Sequence, residues 1–215
     1  MYKNFIAQFN KAVSEAGRDS EEIELIAVSK KKPPEDIKKV INQGHFAFGE
    51  NQIQEIERKW TDLKKLNKNT KLHFIGNIQS RKVGSIHENC EVIHSLDRMK
   101  LVKLFSEMEK LKNVRREYFI QINTGNESQK SGVMLSDASK FITECLEIYN
   151  LNIIGLMCIP PLNEDPKKHF LTLAEIAENF NLSSLSMGMS NDFETALECG
   201  ATHIRIGTKI FGERN

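Results

Sequence analysis

Ser186-Met-Gly-Met-Ser-Asn-Asp-Phe-Glu-Thr-Ala-Leu-Glu-Cys-Gly-Ala-Thr-His-Ile-Arg-Ile-Gly-Thr208 reads as strand, turn, short helix, strand, turn. Leu185 to Met189 is a short apolar run, Asn191 or Asp192 can cap the helix that follows, and Gly200 can close it. Thr202 to Ile206 is the second strand, and it ends in Gly207-Thr208. A helix between two strands predicts that they run parallel and finish side by side. One then ends in Ser190 at a helix start, the other in a glycine with a hydroxyl neighbour. Backbone N–H groups and two hydroxyls meet at one spot, which suits a phosphate monoester. An ordinary pair of strand-to-helix turns would carry the same residue types, so this reading needs support from elsewhere in the chain.

The same alternation runs outward to both ends. Strands are expected at Ile23–Ser29, Phe46–Gly49, Leu72–Gly76, Val92–Ser95, Tyr118–Asn123, Ile153–Cys158, Leu185–Met189 and His203–Ile206. Helical patterns fall between them at Pro34–Asn42, Gln52–Leu66, Ser80–Glu88, Arg98–Leu111, Ser136–Tyr149, Pro166–Asn179 and Asp192–Cys199. Met1 to Gly17 adds an N-terminal helix with Phe5, Phe9, Ala12, Val13 and Ala16 on one face. Eight such units predict an α/β fold of the (β/α)8 TIM barrel type, one domain over residues 1–215 with an extra N-terminal helix. An open doubly wound sheet is the alternative.

Composition narrows the function. The 30 basic and 29 acidic residues leave a net charge of +1, so no basic field demands nucleic acid. The four cysteines form no C-x-x-C pair and suit small core residues of a reducing compartment. Cys158 lies at an expected strand end. The six histidines show no paired metal-ligand spacing. The longest apolar run, Ile153 to Pro161, is too short to span a bilayer, and the N-terminus lacks a continuous apolar core. A soluble cytoplasmic protein is expected.

In a barrel the chemistry sits where strands end. The residues there are Lys30, Glu50-Asn51, Asn77, Asp97, Asn123, Pro160, Ser190 and Gly207-Thr208. Lys30 closes the apolar strand that starts at Ile23. A lysine at the mouth, partly desolvated and near other cations, has a lowered pKa and can attack an aldehyde. Lys31 and Lys32 follow, so a solvated basic turn is the competing view. An amine and a phosphate cradle on one rim suggest a ligand bearing both aldehyde and phosphate: pyridoxal 5′-phosphate or a sugar phosphate. Arg205 lies two residues before Gly207 and shares its face. If inward, it sits beside the ring of such a ligand; if outward, it is a surface arginine paired to an acid.

At these residues the chain resembles the pyridoxal phosphate homeostasis proteins, which are similar to the barrel domain of alanine racemase. The segments are Ala27-Val-Ser-Lys30, Phe48-Gly-Glu-Asn51, His73-Phe-Ile-Gly76 with Gln79, His94-Ser-Leu-Asp97, Gln121-Ile-Asn123, Lys130-Ser-Gly132, Gly155-Leu-Met157 with Ile159-Pro160, Ser186-Met-Gly-Met-Ser190 and Arg205-Ile-Gly-Thr208. The resemblance implies a single barrel without the racemases' second domain. It implies pyridoxal 5′-phosphate held as a Schiff base on Lys30, with Asn51, Met189, Ser190, Arg205, Gly207 and Thr208 around it. Ser190, Gly207 and Thr208 would hold the phosphate and Arg205 the pyridine nitrogen. Two positions depart from the pattern: Lys31 stands where threonine is expected, and Arg81 where asparagine is usual.

The function so implied is intracellular vitamin B6 homeostasis, a monomer that buffers the cofactor or passes it to apo-enzymes. The alternatives are an amino-acid racemase using the same cofactor and a Schiff-base aldolase. Racemisation needs a second acid/base opposite the lysine. Tyr2, Tyr118 and Tyr149 are the chain's tyrosines, and none is expected at a strand's C-terminal end.

Overall fold

The computed structural model describes residues 1–213. Its strands are β1 (Glu24–Val28), β2 (Ala47–Glu50), β3 (Lys71–Phe74), β4 (Val92–Leu96), β5 (Glu117–Asn123), β6 (Val133–Met134), β7 (Ile153–Met157), β8 (Ser184–Ser186) and β9 (His203–Ile206). Its α-helices are α1 (Tyr2–Glu15), α2 (Pro34–Ile41), α3 (Ile53–Leu66), α4 (Val83–Asn89), α5 (Met99–Lys112), α6 (Leu135–Thr143), α7 (Pro166–Asn179), α8 (Phe193–Glu198) and α9 (Thr208–Phe211). The strands pair in parallel in the order β4-β3-β2-β1-β9-β8-β7-β5, and a β4–β5 pairing closes the ring. That closure decides for the eight-stranded barrel over the open sheet. The two-residue β6 lies beside β5 outside the ring and has no counterpart among the expected strands.

The layers follow from side-chain alternation. Outward residues of the strands, such as Leu25, Ala27, Phe48, Leu72, Ile120 and Ile204, join the inner faces of the helices in one large core. A small second cluster of Val92, Phe119 and Met157, with Ile154 against it, fills part of the barrel interior. The helix α1 packs on the outside against α8 and α9, with Phe5 and Phe9 both meeting the Phe193 ring.

Three of the expected elements take a different course. Ser80–Glu88 opens as a 3-10 turn, Ser80–Lys82, before α4 begins. The helix expected to reach Tyr149 changes after Thr143 into a π segment, Glu144–Ile148. The strand expected to reach Met189 stops at Ser186, because Gly188 takes φ +88°. A Cβ there would collide with Ala196 and Ile204, so the turn needs glycine both for its dihedral and for its close approach to α8.

Candidate functional site

The rim residues singled out by sequence come from four strands that are neighbours around the barrel, β2, β1, β9 and β8. Asn51 follows β2, Lys30 follows β1, Gly207 and Thr208 follow β9, and Met189 and Ser190 follow β8. They form one continuous arc of the C-terminal rim. Lys30, Asn51, Met189, Ser190 and Gly207 are half-buried, and Thr208 is exposed. Gly207 abuts the end of β1, where a Cβ would lie 3.3 Å from Val28 O. The lysine turn and the Gly207-Thr208 turn are thus adjacent.

Lys30 sits in a four-residue turn closed by Lys32 N–H donating to Ser29 O at 3.1 Å. Lys31, its third residue, takes φ +61°, a left-handed value rare outside glycine and asparagine. Its N–H donates to Glu55 Oε2 at 2.7 Å. Lys32 donates to Glu213 O at 2.7 Å. The turn is pinned from below by a buried ion cluster. Lys59 is fully buried and contacts Glu50 Oε1 at 2.6 Å and Glu55 Oε2 at 2.7 Å, and it donates to Ser29 O at 3.0 Å. Ser29 Oγ and Trp60 Nε1 also donate to Glu50 Oε1. Residues on both sides of Lys30 are therefore tied to α3. Glu50, expected among the rim groups, is instead enclosed against Trp60 and Lys59, because it is the last β2 residue and faces the helix layer. Asn123 likewise turns inward to its own loop, donating to Glu127 O at 2.8 Å.

At the neighbouring turns, Asp192 precedes α8 as expected, but its carboxylate accepts no bond from that helix. It accepts from Met189 N–H at 2.6 Å and folds the β8 exit back on itself. In α9 the first intrahelical donors are Ile210 and Phe211, both to Gly207 O. The N–H groups of Thr208 and Lys209 precede them in the helix.

Arg205 points into the barrel. It is buried, donating to Ser186 Oγ at 2.6 Å and to Cys158 O at 3.0 Å. The surface arginine paired to an acid is thereby excluded. Burial lowers its pKa, opposed by the nearby Cys158 and Asp192. All four cysteines are buried thiols, and burial pushes Cys158 up to about 12, which makes it a poor nucleophile. Tyr118 faces away from the mouth, its hydroxyl donating to Glu109 Oε1 at 3.0 Å.

Sequence reasoning passed over the histidines. His73, His94 and His203 occupy inward positions of β3, β4 and β9, with ring centroids 5.1 to 6.3 Å apart. His94 stacks on Phe119. The signal was available: each histidine lies within an apolar strand, next to residues that face the outer core. Spacing along the chain could not reveal it, since β3, β4 and β9 are far apart in sequence. Among the described residues no group of three or more histidine, cysteine, aspartate or glutamate side chains is placed to hold a metal ion. No helix among them is long and apolar enough to cross a membrane.

Residues 6–215 match the family model described as alanine racemase, N-terminal domain. A protein of Aquifex aeolicus named pyridoxal phosphate homeostasis protein is 38% identical over 97% of this chain and 95% of its own. The protein of that name from Escherichia coli is 34% identical over 95% and 91%. Among solved structures, PipY of Synechococcus elongatus with PLP bound superposes with a TM-score of 0.82 at 29% identity, covering 94% of this chain and 99% of that one. An alanine racemase of Clostridium difficile shares the fold, with a TM-score of 0.73 at 10% identity over 94% of this chain and 55% of its own.

Proposed function

The chain belongs to the alanine racemase N-terminal domain family and, within it, with the pyridoxal phosphate homeostasis proteins; on that premise we propose that it binds pyridoxal 5′-phosphate on the β2-β1-β9-β8 arc and holds it for intracellular vitamin B6 homeostasis. The observation that carries this reading is the arc itself: an amine, a buried guanidinium and a glycine-hydroxyl turn on adjacent strands. Those groups fit the cofactor's three handles. Lys30 offers the amine for the aldehyde. Thr208, with the N–H groups at the start of α9 and the Ser190 turn, offers donors for the phosphate. Arg205 offers N–H to the pyridine nitrogen, and a permanent cation there keeps that nitrogen unprotonated. Asn51 and Met189 line the two ends of the arc. When bound, the cofactor supplies an electrophilic aldehyde and an electron sink.

Holding rather than turnover is supported by where Tyr118 and Tyr2 lie, away from the mouth. Tyr118 is engaged with Glu109 in the outer layer, and Tyr2 lies on α1 with its ring against His45. Neither is placed as a second acid/base across from Lys30. The solution form is a monomer, and apo-enzymes that use the cofactor are its partners.

The decisive experiment is reduction of the loaded protein with borohydride, followed by peptide mapping. The adduct falls on Lys30, and Lys30→Ala loses the visible absorbance while its far-ultraviolet circular dichroism stays native. An adduct on Lys31 or Lys32 refutes the assignment. Incubation with L-amino acids in deuterated water separates holding from turnover. Exchange of the α-proton at roughly one turnover per second or faster would make the protein a racemase.

A further inference from the structure

A row of polar side chains crosses the barrel from its N-terminal mouth to Arg205. Glu24 Oε2, at the start of β1, lies 3.3 Å from His73 Nε2. His73 Nδ1 is 2.9 Å from His94 Nε2, His94 Nδ1 is 2.8 Å from Ser186 Oγ, and Ser186 Oγ is 2.6 Å from Arg205 Nη1. Both ends of this row have only one possible role. A guanidinium can only donate, and a carboxylate can only accept. Ser186 Oγ therefore accepts from Arg205 and is free to give its own proton to His94 Nδ1. His94 then carries its hydrogen on Nε2 and donates to His73 Nδ1. His73 in turn carries its hydrogen on Nε2, the nitrogen nearest the Glu24 carboxylate, at a distance whose geometry falls short of a hydrogen bond. The opposite direction would turn the lone pair of His73 Nε2 onto a carboxylate.

We propose that His73, His94 and Ser186 form a directional hydrogen-bond chain that positions Arg205, oriented by the Glu24 carboxylate beside its outer end, with both histidines held as the neutral Nε2–H tautomer. This rests on the reading that Arg205 meets the cofactor. Burial agrees with it: desolvation holds His73 and His94 below the usual histidine range, so both rings are neutral at pH 7. Glu24 is kept charged by its other neighbours, His203 Nε2 at 3.2 Å and Lys71 Nζ at 3.7 Å. Lys71 also reaches Glu117 at 3.0 Å. The carboxylate at one mouth sets the direction of every bond up to the guanidinium at the other. Ser186 thereby presents an acceptor to Arg205, and Cys158 O takes the second N–H. The guanidinium is held by two bonds with its remaining edge left for the ligand.

Two measurements test this independently. In the cofactor-free protein, long-range 15N histidine spectra at pH 7, assigned with His73→Gln and His94→Gln, report the tautomers directly. Both rings should show Nε2–H. An Nδ1–H tautomer or an imidazolium at either position overturns the chain, whether or not the protein binds the cofactor. The second is a double-mutant cycle read as affinity for pyridoxal 5′-phosphate. Glu24→Gln lies at the far mouth and offers an amide donor as readily as an acceptor. It should weaken binding about threefold alone and have no effect in a Ser186→Ala background. Equal weakening in both backgrounds, or none in the unmutated one, refutes the coupling. If the unmutated protein binds no cofactor, the proposed function fails while the tautomers still decide the chain.

Discussion

Lys31 has the backbone conformation of a glycine and the side chain of a lysine. A left-handed φ costs an L-residue roughly 1–2 kcal/mol, and here it occurs one residue from the amine assigned to the ligand. The Glu55 carboxylate helps to hold it, taking the Lys31 N–H. Lys31→Gly relieves the strain but adds freedom to the unfolded chain, leaving a net gain of about 0.5–1 kcal/mol. For a chain of this size the melting temperature should rise by about 1–4 °C. A thermal melt followed by circular dichroism decides it, and a clear fall would show that the lysine side chain contributes more than its backbone costs.

At the scale of elements, the β1–α2 turn depends on α3. Lys59 is the cation shared by two carboxylates and also bonds Ser29 O. Lys59→Met keeps the apolar stem but leaves Glu50 and Glu55 without their cation. Breaking a buried ion cluster from one side costs about 3–5 kcal/mol, more than exchange of the whole cluster for apolar groups would. Urea denaturation should show the loss. Affinity for pyridoxal 5′-phosphate should fall as well, because the turn around Lys30 loses its support. Normal affinity in a folded Lys59→Met protein would separate the cluster's stability role from any role in the site.

At the scale of the whole molecule, buried histidines make the barrel sensitive to acid. Burial lowers His45, His73, His87 and His94, with His73 reaching about 3. The unfolded chain takes up protons near pH 6.5 that the folded one refuses, so this stability is complete above that pH and declines below it. Glu24 acts in the same direction. Burial would raise it, but the adjacent His203 ring and the Lys71 charge outweigh burial and bring it to about 2. Its contribution is present above the usual carboxylate range and disappears as pH falls toward 2. Stability should drop by several kcal/mol between pH 7.5 and 5, with His73→Gln reducing the slope. Urea titrations at the two pH values are sufficient, and equal midpoints would contradict the neutral buried rings.

Alternation of apolar strands with amphipathic helices determined the parallel barrel, because strand period and helix period are local properties of consecutive residues. The rim positions were legible for the same reason: Lys30, Asn51, Ser190 and Gly207-Thr208 each follow an apolar run. The residue patterns of Ala27–Lys30 and Arg205–Thr208 carried the family. What each polar side chain meets was decided only by closure of the barrel. Glu50 and Asn51 are consecutive, yet one is sealed against Lys59 and the other stays at the rim, because Glu50 ends β2 facing the helix layer and Asn51 begins the turn that follows. Ser186 and His94 are 92 residues apart and share a hydrogen bond. No local rule predicts such a pair; it exists because the eight strands turn their inward residues onto one axis.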